Sequence, residues 1–339
     1  MRITFPILTL CKGGAQRMLA EITNRLVERG HEVTILMPPS GEVEYPTQAK
    51  IVRTPLSLIK EQDFPYSDVI VSNFYTTVET AQAASDRGKG KHIRLSLCYE
   101  PAFLPNNHLT FPTYHVTDQI VVLSKWQRQL IQTLHGIDGK IVPVGISSAF
   151  SNLKIRREAP LQITAIFRIP EGGYSWHREQ NYLADALQAV RENMPDVQIN
   201  MITPPIEYYN SLELQEIKEK YQFRLFTPKN DEELNHCYNQ SHIFVSSSVY
   251  DTASLPGLEA MKCGAALVTV YSGGNMDYCK PGENCLLSYR YENCLTSDIL
   301  TLAKDRELRK RLAAAGEVEA KRWTWERSMD AFDKVLEGI

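Results

Sequence analysis

The feature that most constrains the fold is an alternation of strand-like and helical segments that occurs twice along the 339 residues. In the first set, β-rich runs occupy residues 3–10, 32–37, 51–52, 69–72, 93–97, 119–123 and 140–144, with helical patterns at 18–27, 78–84 and 125–134. Parallel strands need a crossover connection, usually a helix, so this alternation predicts a parallel sheet covered by helices.

The alternation restarts after residue 160. Strand-like runs lie at 162–167, 198–202, 223–226, 242–246 and 266–270, with helices at 181–192, from 258, and at 299–315. The polar, basic segment Gly145–Pro160 separates the two sets. We therefore predict an α/β protein of two doubly wound Rossmann-like domains, residues 1–147 and 148–322, facing a cleft. Ligands of such sheets bind at the carboxyl ends of the strands.

Composition excludes several functional classes. The formal net charge is −3, whereas a dedicated nucleic-acid binder should carry a basic excess. No uninterrupted apolar run reaches the length of a membrane span. The seven cysteines form no C-x-x-C pair, so we expect free thiols in a cytoplasmic protein and no zinc site. The first glycine loop lacks both G-x-G-x-x-G and G-x-x-x-x-G-K-[ST], which argues against a dehydrogenase or a P-loop NTPase.

The segment with the clearest chemistry is residues 246–264 (SSSVYDTASLPGLEAMKCG), which follows a strand and opens a helix. Ser254 is the expected N-cap and Pro256 fits the first turn. The first turn then points open N–H groups toward a ligand, and helix N-termini attract phosphate. Asp251 and Glu259 stand eight positions apart and are placed to accept hydrogen bonds from two hydroxyl-bearing parts of one ligand. The structural alternative makes Asp251 a turn former and Glu259 a partner of the helix dipole.

This segment resembles the E-x7-E signature of retaining GT-B glycosyltransferases of family 4 (glycosyl transferases group 1), with Asp251 in the first Glu position. Four further segments resemble conserved segments of that family and follow the same order along the chain. They are residues 13–20 (GGAQRMLA), 29–34 (RGHEVT), 124–128 (SKWQR) and 325–328 (WERS). Residues 99–103 (YEPAF) are most similar to the rhamnosyltransferase-like branch.

The resemblance implies roles for individual residues. Arg168 and Arg178 would neutralise the departing diphosphate, Asp251 would contact the transferred sugar, and Glu259 would bind the ribose. Donor-binding positions on this basis are Gly13, Gly14, Asn230, Ser254, Leu255, Pro256, Gly257, Leu258 and Glu259. The first domain would bind the acceptor and the second the nucleotide sugar, and residues 323–339 would form a helix returning to the first domain.

Three positions depart from the family pattern. Asp251 is one methylene shorter than Glu, Arg178 replaces the usual lysine, and Glu179 replaces the glycine that follows it. The stretch 96–100 also lacks the histidine that many members place beside the sugar. Glu100 is the candidate polar contact to the acceptor or sugar there, with a structural turn carboxylate before Pro101 as the alternative.

The sequence contains no D-x-D motif, so we expect no metal and no bound cofactor, with the nucleotide sugar as co-substrate. The family implies a retaining hexosyltransferase acting on a saccharide or lipid-linked acceptor, with UDP-glucose favoured as donor and dTDP-rhamnose next. A non-catalytic nucleotide-sugar-binding protein is the alternative. The basic loop at residues 86–92 would permit peripheral contact with the inner face of the membrane, with a solvated loop as the alternative.

Overall fold

The computed structural model describes residues 1–339 and divides the chain into two compact units. The N-terminal unit comprises Met1–Gly145 with Trp325–Ile339, and the C-terminal unit comprises Ile146–Thr324. No helix combines the length and apolar character that crossing a bilayer requires. All seven cysteines are free thiols, and Cys237, Cys263, Cys279 and Cys285 are buried.

The N-terminal unit is built on a parallel seven-stranded sheet of order β3-β2-β1-β4-β5-β6-β7. Its strands are β1 (Arg2–Pro6), β2 (Glu32–Met37), β3 (Lys50–Arg53), β4 (Val69–Ser72), β5 (Lys91–Leu95), β6 (Ile120–Val122) and β7 (Lys140–Ile141). Its helices are α1 (Gly14–Glu28), α2 (Tyr75–Asp86), α3 (Glu100–Phe103), α4 (Asn107–Thr110), α5 (Lys125–His135) and α13 (Trp325–Glu337). The strand order reverses between β1 and β4, which makes this pair the topological switch point of the sheet.

The C-terminal unit has a parallel six-stranded sheet of order β10-β9-β8-β11-β12-β13. Its strands are β8 (Gln162–Ile166), β9 (Gln198–Ile202), β10 (Arg224–Phe226), β11 (Ile243–Ser246), β12 (Ala266–Val270) and β13 (Cys285–Ser288). Its helices are α6 (Gln180–Asn193), α7 (Pro205–Asn210), α8 (Leu212–Tyr221), α9 (Asp231–Gln240), α10 (Leu255–Lys262), α11 (Leu295–Lys304) and α12 (Arg306–Ala320). Here the switch point lies between β8 and β11.

Both units therefore confirm the predicted doubly wound α/β class. Alternate strand residues pack on the helices, as in the C-terminal core around Ile163, Ala165 and Phe167, which are all fully buried. The single helix predicted at 299–315 is wrong. Asp305 leaves the helical region (φ −95°, ψ 94°), and its side chain accepts a hydrogen bond from the Leu308 N–H at 2.9 Å, so a second helix starts there.

The last helix, α13, packs within the N-terminal unit. Trp325, Met329 and Phe332 are buried there. The Ser328 hydroxyl donates to the Pro143 carbonyl at 2.5 Å. A β-carbon on Gly145 would lie 2.5 Å from the Trp325 nitrogen, so the glycine permits a close backbone approach between the end of the first sheet and this helix.

Candidate active site at the switch point of the C-terminal sheet

A small pocket lies at the carboxyl ends of β8 and β11, where open α/β sheets bind their ligands. We call it the switch-point pocket. It is lined by Ile166, Arg178, Leu183, Phe244, Val245, Ser246, Ser247, Ser248, Asp251, Ser254 and Pro256. Four residues predicted from the sequence therefore share one pocket, namely Arg178, Asp251, Ser254 and Pro256.

The loops after β8 and β11 are bound to each other across this pocket. The Val249 N–H donates to the His177 carbonyl at 2.8 Å, and the Ser247 hydroxyl donates to the Arg178 carbonyl. A short 3-10 helix, Trp176–Arg178, carries the arginine. The loop that carries Arg178 after β8 is thus bound to the loop after β11. As a result, Arg178 and Asp251 line the same pocket although 73 residues separate them in sequence.

Asp251 is fixed by both its backbone and its side chain. Its N–H donates to the Ser272 carbonyl, and its own carbonyl accepts from the Gly274 N–H, each at 2.8 Å. Its Oδ1 accepts hydrogen bonds from the N–H groups of Ala253 (3.1 Å) and Ser254 (2.8 Å). This is the turn-forming role of the structural alternative, and it involves one of the two carboxylate oxygens.

Ser254 occupies the N-cap position of α10, as predicted, but its side chain makes no capping hydrogen bond. Its backbone is left-handed (φ 52°, ψ 53°), which is costly for a residue other than glycine. Asp251 holds its N–H, and the buried Tyr278 hydroxyl donates to its carbonyl at 2.9 Å. These two contacts keep the strained turn in place at the entrance to the helix.

The first turn of α10 contains Leu255, Pro256, Gly257 and Leu258, which agrees with the predicted N-cap at Ser254 and with Pro256 in the first turn. A β-carbon on Gly257 would lie 2.6 Å from the Tyr278 hydroxyl, which explains the glycine by close packing. Glu259 lies in the second turn, and its Oε2 accepts a hydrogen bond from the Tyr238 hydroxyl of α9 at 3.0 Å. Burial and the neighbouring Glu259 raise the pKa of Tyr238 well above its usual range.

Charges of both signs surround Arg178. Burial and the nearby Arg168 together lower the pKa of Arg178 to about 10, although the carboxylates of Asp251 and Glu207 oppose the shift. His177 next to it has its pKa lowered to about 4 by burial and by Arg178, so it is neutral at pH 7. The two arginines and two carboxylates thus form one interacting cluster around the switch point.

The structure does not bring every predicted residue to this pocket. Asn230 follows the edge strand β10 and caps α9, where its Oδ1 accepts from the Glu233 N–H at 2.9 Å. Gly13 and Gly14 belong to the N-terminal unit, at the start of α1. Gly13 is extended (φ 175°) and a β-carbon on Gly14 would meet nothing within 4 Å, so neither glycine is required by the turn itself.

Glu100 is buried in the N-terminal unit, with both carboxylate oxygens engaged. Its Oε1 accepts from the Tyr75 N–H at 2.8 Å, and its Oε2 accepts from the Arg94 guanidinium. Arg94 also lies over the ring of Tyr114, 3.6 Å from its centroid. Burial raises the pKa of Glu100. These contacts favour the structural alternative over a direct contact with an acceptor or sugar.

Cations of the basic loop also have internal partners. Arg87 pairs with Glu61 at 2.7 Å. The Lys89 ammonium donates to the carbonyl groups of Glu61, Gln62 and Phe64 at 3.0, 3.2 and 2.8 Å. These contacts tie the end of α2 to the segment before β4 and give Lys89 a structural role.

Sequence reasoning missed Glu207, His177 and Tyr238. Glu207 lies on α7, which begins at Pro205, and the Pro204-Pro205 pair was the available signal for a helix start there. His177 is next to Arg178, so it could have been included with it. No sequence pattern links Tyr238 with Glu259, because their contact joins two helices 21 residues apart.

Part of the C-terminal unit matches a known protein family, and the whole chain is similar to solved structures. Residues 172–319 match the family model of glycosyl transferases group 1. HepE of Anabaena, solved with UDP and glucose, is similar over 100% of both chains at a TM-score of 0.81 and 14% identity. Sucrose-phosphate synthase of Thermosynechococcus elongatus is similar over 99% of this chain and 98% of that one, at 0.80 and 14%.

The chain has the GT-B fold. A further GT-B structure, WaaG, a glycosyltransferase involved in lipopolysaccharide biosynthesis, covers 98% of this chain and 99% of its own, at a TM-score of 0.75 and 13% identity. No curated protein matches the sequence. The family match and the GT-B neighbours together support a hexosyltransferase.

Proposed function

We propose that the protein is a retaining, metal-independent glycosyltransferase that moves a sugar from a nucleoside-diphosphate donor to a saccharide or lipid-linked acceptor. UDP-glucose is the favoured donor and dTDP-rhamnose the next. The product would belong to a polysaccharide or glycoconjugate. On this proposal the C-terminal unit binds the donor and the N-terminal unit binds the acceptor.

The observation that carries the proposal is the meeting of Arg178 and Asp251 in one pocket at the switch point of the C-terminal sheet. A departing diphosphate gains negative charge, and a guanidinium can bind it through two parallel hydrogen bonds. A carboxylate beside that cation is suited to accept hydrogen bonds from sugar hydroxyls. HepE, which shares the fold, was solved with UDP-glucose, which supports the favoured donor.

The roles of the remaining donor residues follow from their places. Glu259 lies one turn inside α10 and would accept hydrogen bonds from the ribose, while Tyr238 orients its carboxylate. The N–H groups of the first turn would meet the diphosphate. Arg168 and Arg178 would supply the neutralising charge that a metal supplies elsewhere. Retention would proceed by attack on the same face within an ion pair, because no carboxylate is assigned as a nucleophile.

The acceptor has a candidate site in the N-terminal unit. A cavity of about 470 Å³ opens in the segment after β5, and a volume of this order suits a small ligand. It is lined by Tyr99, Pro101, Ala102, Asn107, His108, Phe111 and Pro112. Aromatic and proline surfaces with two polar side chains suit a sugar ring or the apolar part of a lipid-linked acceptor.

A non-catalytic nucleotide-sugar-binding protein is the second candidate, and the shorter Asp251 in the first Glu position of the signature favours it. A panel of UDP, GDP, dTDP and ADP sugars in a thermal-shift experiment tests donor binding common to both candidates. A ligand at 100 times its Kd stabilises the folded state by about 2.7 kcal/mol. We expect UDP-glucose to raise the Tm of the wild type most and to raise that of Glu259→Ala less. Absence of any shift with all donors would contradict both candidates.

A further inference from the structure

Arg168 is fixed at its backbone and at its guanidinium. Its N–H donates to the Gln180 side-chain oxygen at 2.6 Å, and its carbonyl accepts from the Gln180 amide nitrogen at 2.8 Å. Gln180 is the first residue of α6 and is buried. The backbone of Arg168 is therefore fixed just after the end of β8, and the direction of its side chain depends on the partner of the guanidinium.

The partner of that guanidinium is Glu207 on α7. The Arg168 Nε lies 2.8 and 2.9 Å from the two Glu207 carboxylate oxygens, and Nη2 donates to Oε1. Glu207 Oε2 also accepts from the Ile169 N–H at 2.8 Å. The side chains are 25% and 15% exposed, so the pair is partly shielded from water. Such a pair is held more rigidly than a surface ion pair.

Glu207 occupies only one edge of the guanidinium, the edge formed by Nε and Nη2. Nη1 makes no hydrogen bond within the protein, and an arginine has five N–H donors in a planar fork. The second edge, Nη1 with the other Nη2 hydrogen, is therefore available to a ligand. The side chain of such an arginine is already ordered before the ligand arrives, so binding a phosphate group does not cost further rotamer entropy.

We propose that Glu207 is a positioning residue, which orients Arg168 so that the free edge of its guanidinium binds the donor diphosphate. This inference rests on the proposed function. Glu207 touches no reacting atom and acts through the arginine alone. Its carboxylate also balances one of the two cations, since Arg168 and Arg178 lie close enough for Arg168 to lower the pKa of Arg178.

Because Arg168 and Glu207 form an ion pair, we expect the effects of substituting them on UDP binding not to be additive. In Arg168→Ala the Glu207 carboxylate stays near enough to act on Arg178 but loses its own cation, and its negative charge then opposes the binding of a diphosphate. Adding Glu207→Gln removes that repulsion. The double variant should therefore bind UDP more tightly than Arg168→Ala alone. A carboxylate that only supports the loop would give the opposite order, because a second structural defect weakens binding further.

The chain offers a matched control in Glu171. Its Oε2 accepts from the Ser211 hydroxyl at 2.7 Å, so it ties the same loop to the same helical segment as Glu207 does. It forms no ion pair with an arginine in the structure. Glu171→Gln therefore removes a comparable carboxylate without changing the partner of Arg168.

The test is a UDP titration by calorimetry of the full chain, with circular dichroism and Tm confirming that each variant is folded. We expect Arg168→Ala to weaken UDP binding at least tenfold. Adding Glu207→Gln to Arg168→Ala should tighten UDP binding at least threefold, whereas adding Glu171→Gln to Arg168→Ala should not tighten it. Glu207→Gln alone should weaken UDP binding, because Arg168 loses the partner that orients it, and should lower UDP-glucose turnover about tenfold.

Two results would overturn the inference. If the double variant binds UDP no better than Arg168→Ala, Glu207 is only structural and the proposed function is untouched. If the wild type does not bind UDP at all, the inference and the UDP donor of the proposed function fail together.

Discussion

At the residue scale, Asp251 combines two roles that substitutions can separate. Its Oδ1 holds the turn before α10 through two N–H groups. Asn keeps a carbonyl oxygen for those donors but removes the charge. We expect Asp251→Asn to change the free energy of unfolding by less than about 1 kcal/mol and to slow sugar transfer tenfold or more.

Two companion variants complete this test in the same kinetic assay. Asp251→Ala should slow transfer as Asn does and also cost about 1–2 kcal/mol of stability, because the turn loses its acceptor. Glu259→Ala should raise the Kd of the donor and change the rate at saturation less. Near-wild-type activity in both Asp251→Ala and Glu259→Ala would refute the assignment of the site.

His92 provides a residue-scale prediction about pH. The imidazole is buried between the Ser72 hydroxyl at 2.8 Å and the Gln82 side-chain oxygen at 2.9 Å, and burial lowers its pKa from 6.5 to about 4. Between those values the unfolded chain binds a proton that the folded chain does not. The contribution of His92 to the free energy of unfolding is therefore fully present above pH 6.5. It is lost as the pH drops toward 4, by about 1.4 kcal/mol per pH unit.

Urea unfolding at several pH values measures this contribution. The pKa of His177 and of His242 is also lowered to about 4, so the wild-type slope includes several groups. His92→Gln keeps the polar contacts but cannot bind this proton. The free energy of unfolding of this variant should therefore fall less steeply with decreasing pH, by about 1.4 kcal/mol per pH unit. An unchanged slope would mean that His92 does not remain neutral in the folded protein.

At the element scale, the start of α10 depends on the packing of Gly257 against Tyr278. A methyl group at position 257 would lie 2.6 Å from the tyrosine hydroxyl, which itself holds the Ser254 carbonyl. We expect Gly257→Ala to destabilise the fold by about 1–3 kcal/mol through overpacking. Removing the hydroxyl with Tyr278→Phe should make the same alanine cost less. Equal costs in both backgrounds, measured by denaturant unfolding, would exclude this contact as the cause.

The elements also show what the sequence could and could not predict. Strands 32–37, 69–72, 198–202 and 266–270 have the predicted bounds, because short apolar runs buried in a parallel sheet have a strong local signal. The helix break at Asp305 was not predicted. There a carboxylate that accepts a hydrogen bond from a backbone N–H group decides where a helix starts, and hydrophobic periodicity does not report that bond.

The candidate site was predictable to a similar degree. Asp251 and Arg178 were found from spacing and family resemblance, and the fold places them in one pocket. Glu207 and Tyr238 were not, because each contributes through a contact between elements distant in sequence. The structural alternative for Glu100 is favoured by its buried contacts with Arg94 and the Tyr75 N–H, which no local sequence pattern reports.

At the scale of the whole molecule, the N-terminal unit is completed by residues from the far end of the chain. Phe332 on α13 is fully buried, and truncating a buried phenylalanine costs about 3–5 kcal/mol. We expect Phe332→Ala to reduce amide protection in residues 1–145 and to leave residues 146–324 nearly unchanged. Hydrogen exchange read by mass spectrometry gives this map. Loss of protection mainly in 146–324 would contradict the division into units.

The central claim is that the switch-point pocket of a GT-B chain catalyses sugar transfer with arginines in place of a metal. UDP release from UDP-glucose, measured in excess EDTA for the wild type and for Arg178→Ala, tests it most directly. We expect the wild type to release UDP in EDTA and the variant to be at least 100-fold slower. A wild type that binds UDP-glucose but never releases UDP, with or without added divalent ions, would contradict the claim and leave a protein that only binds the nucleotide sugar.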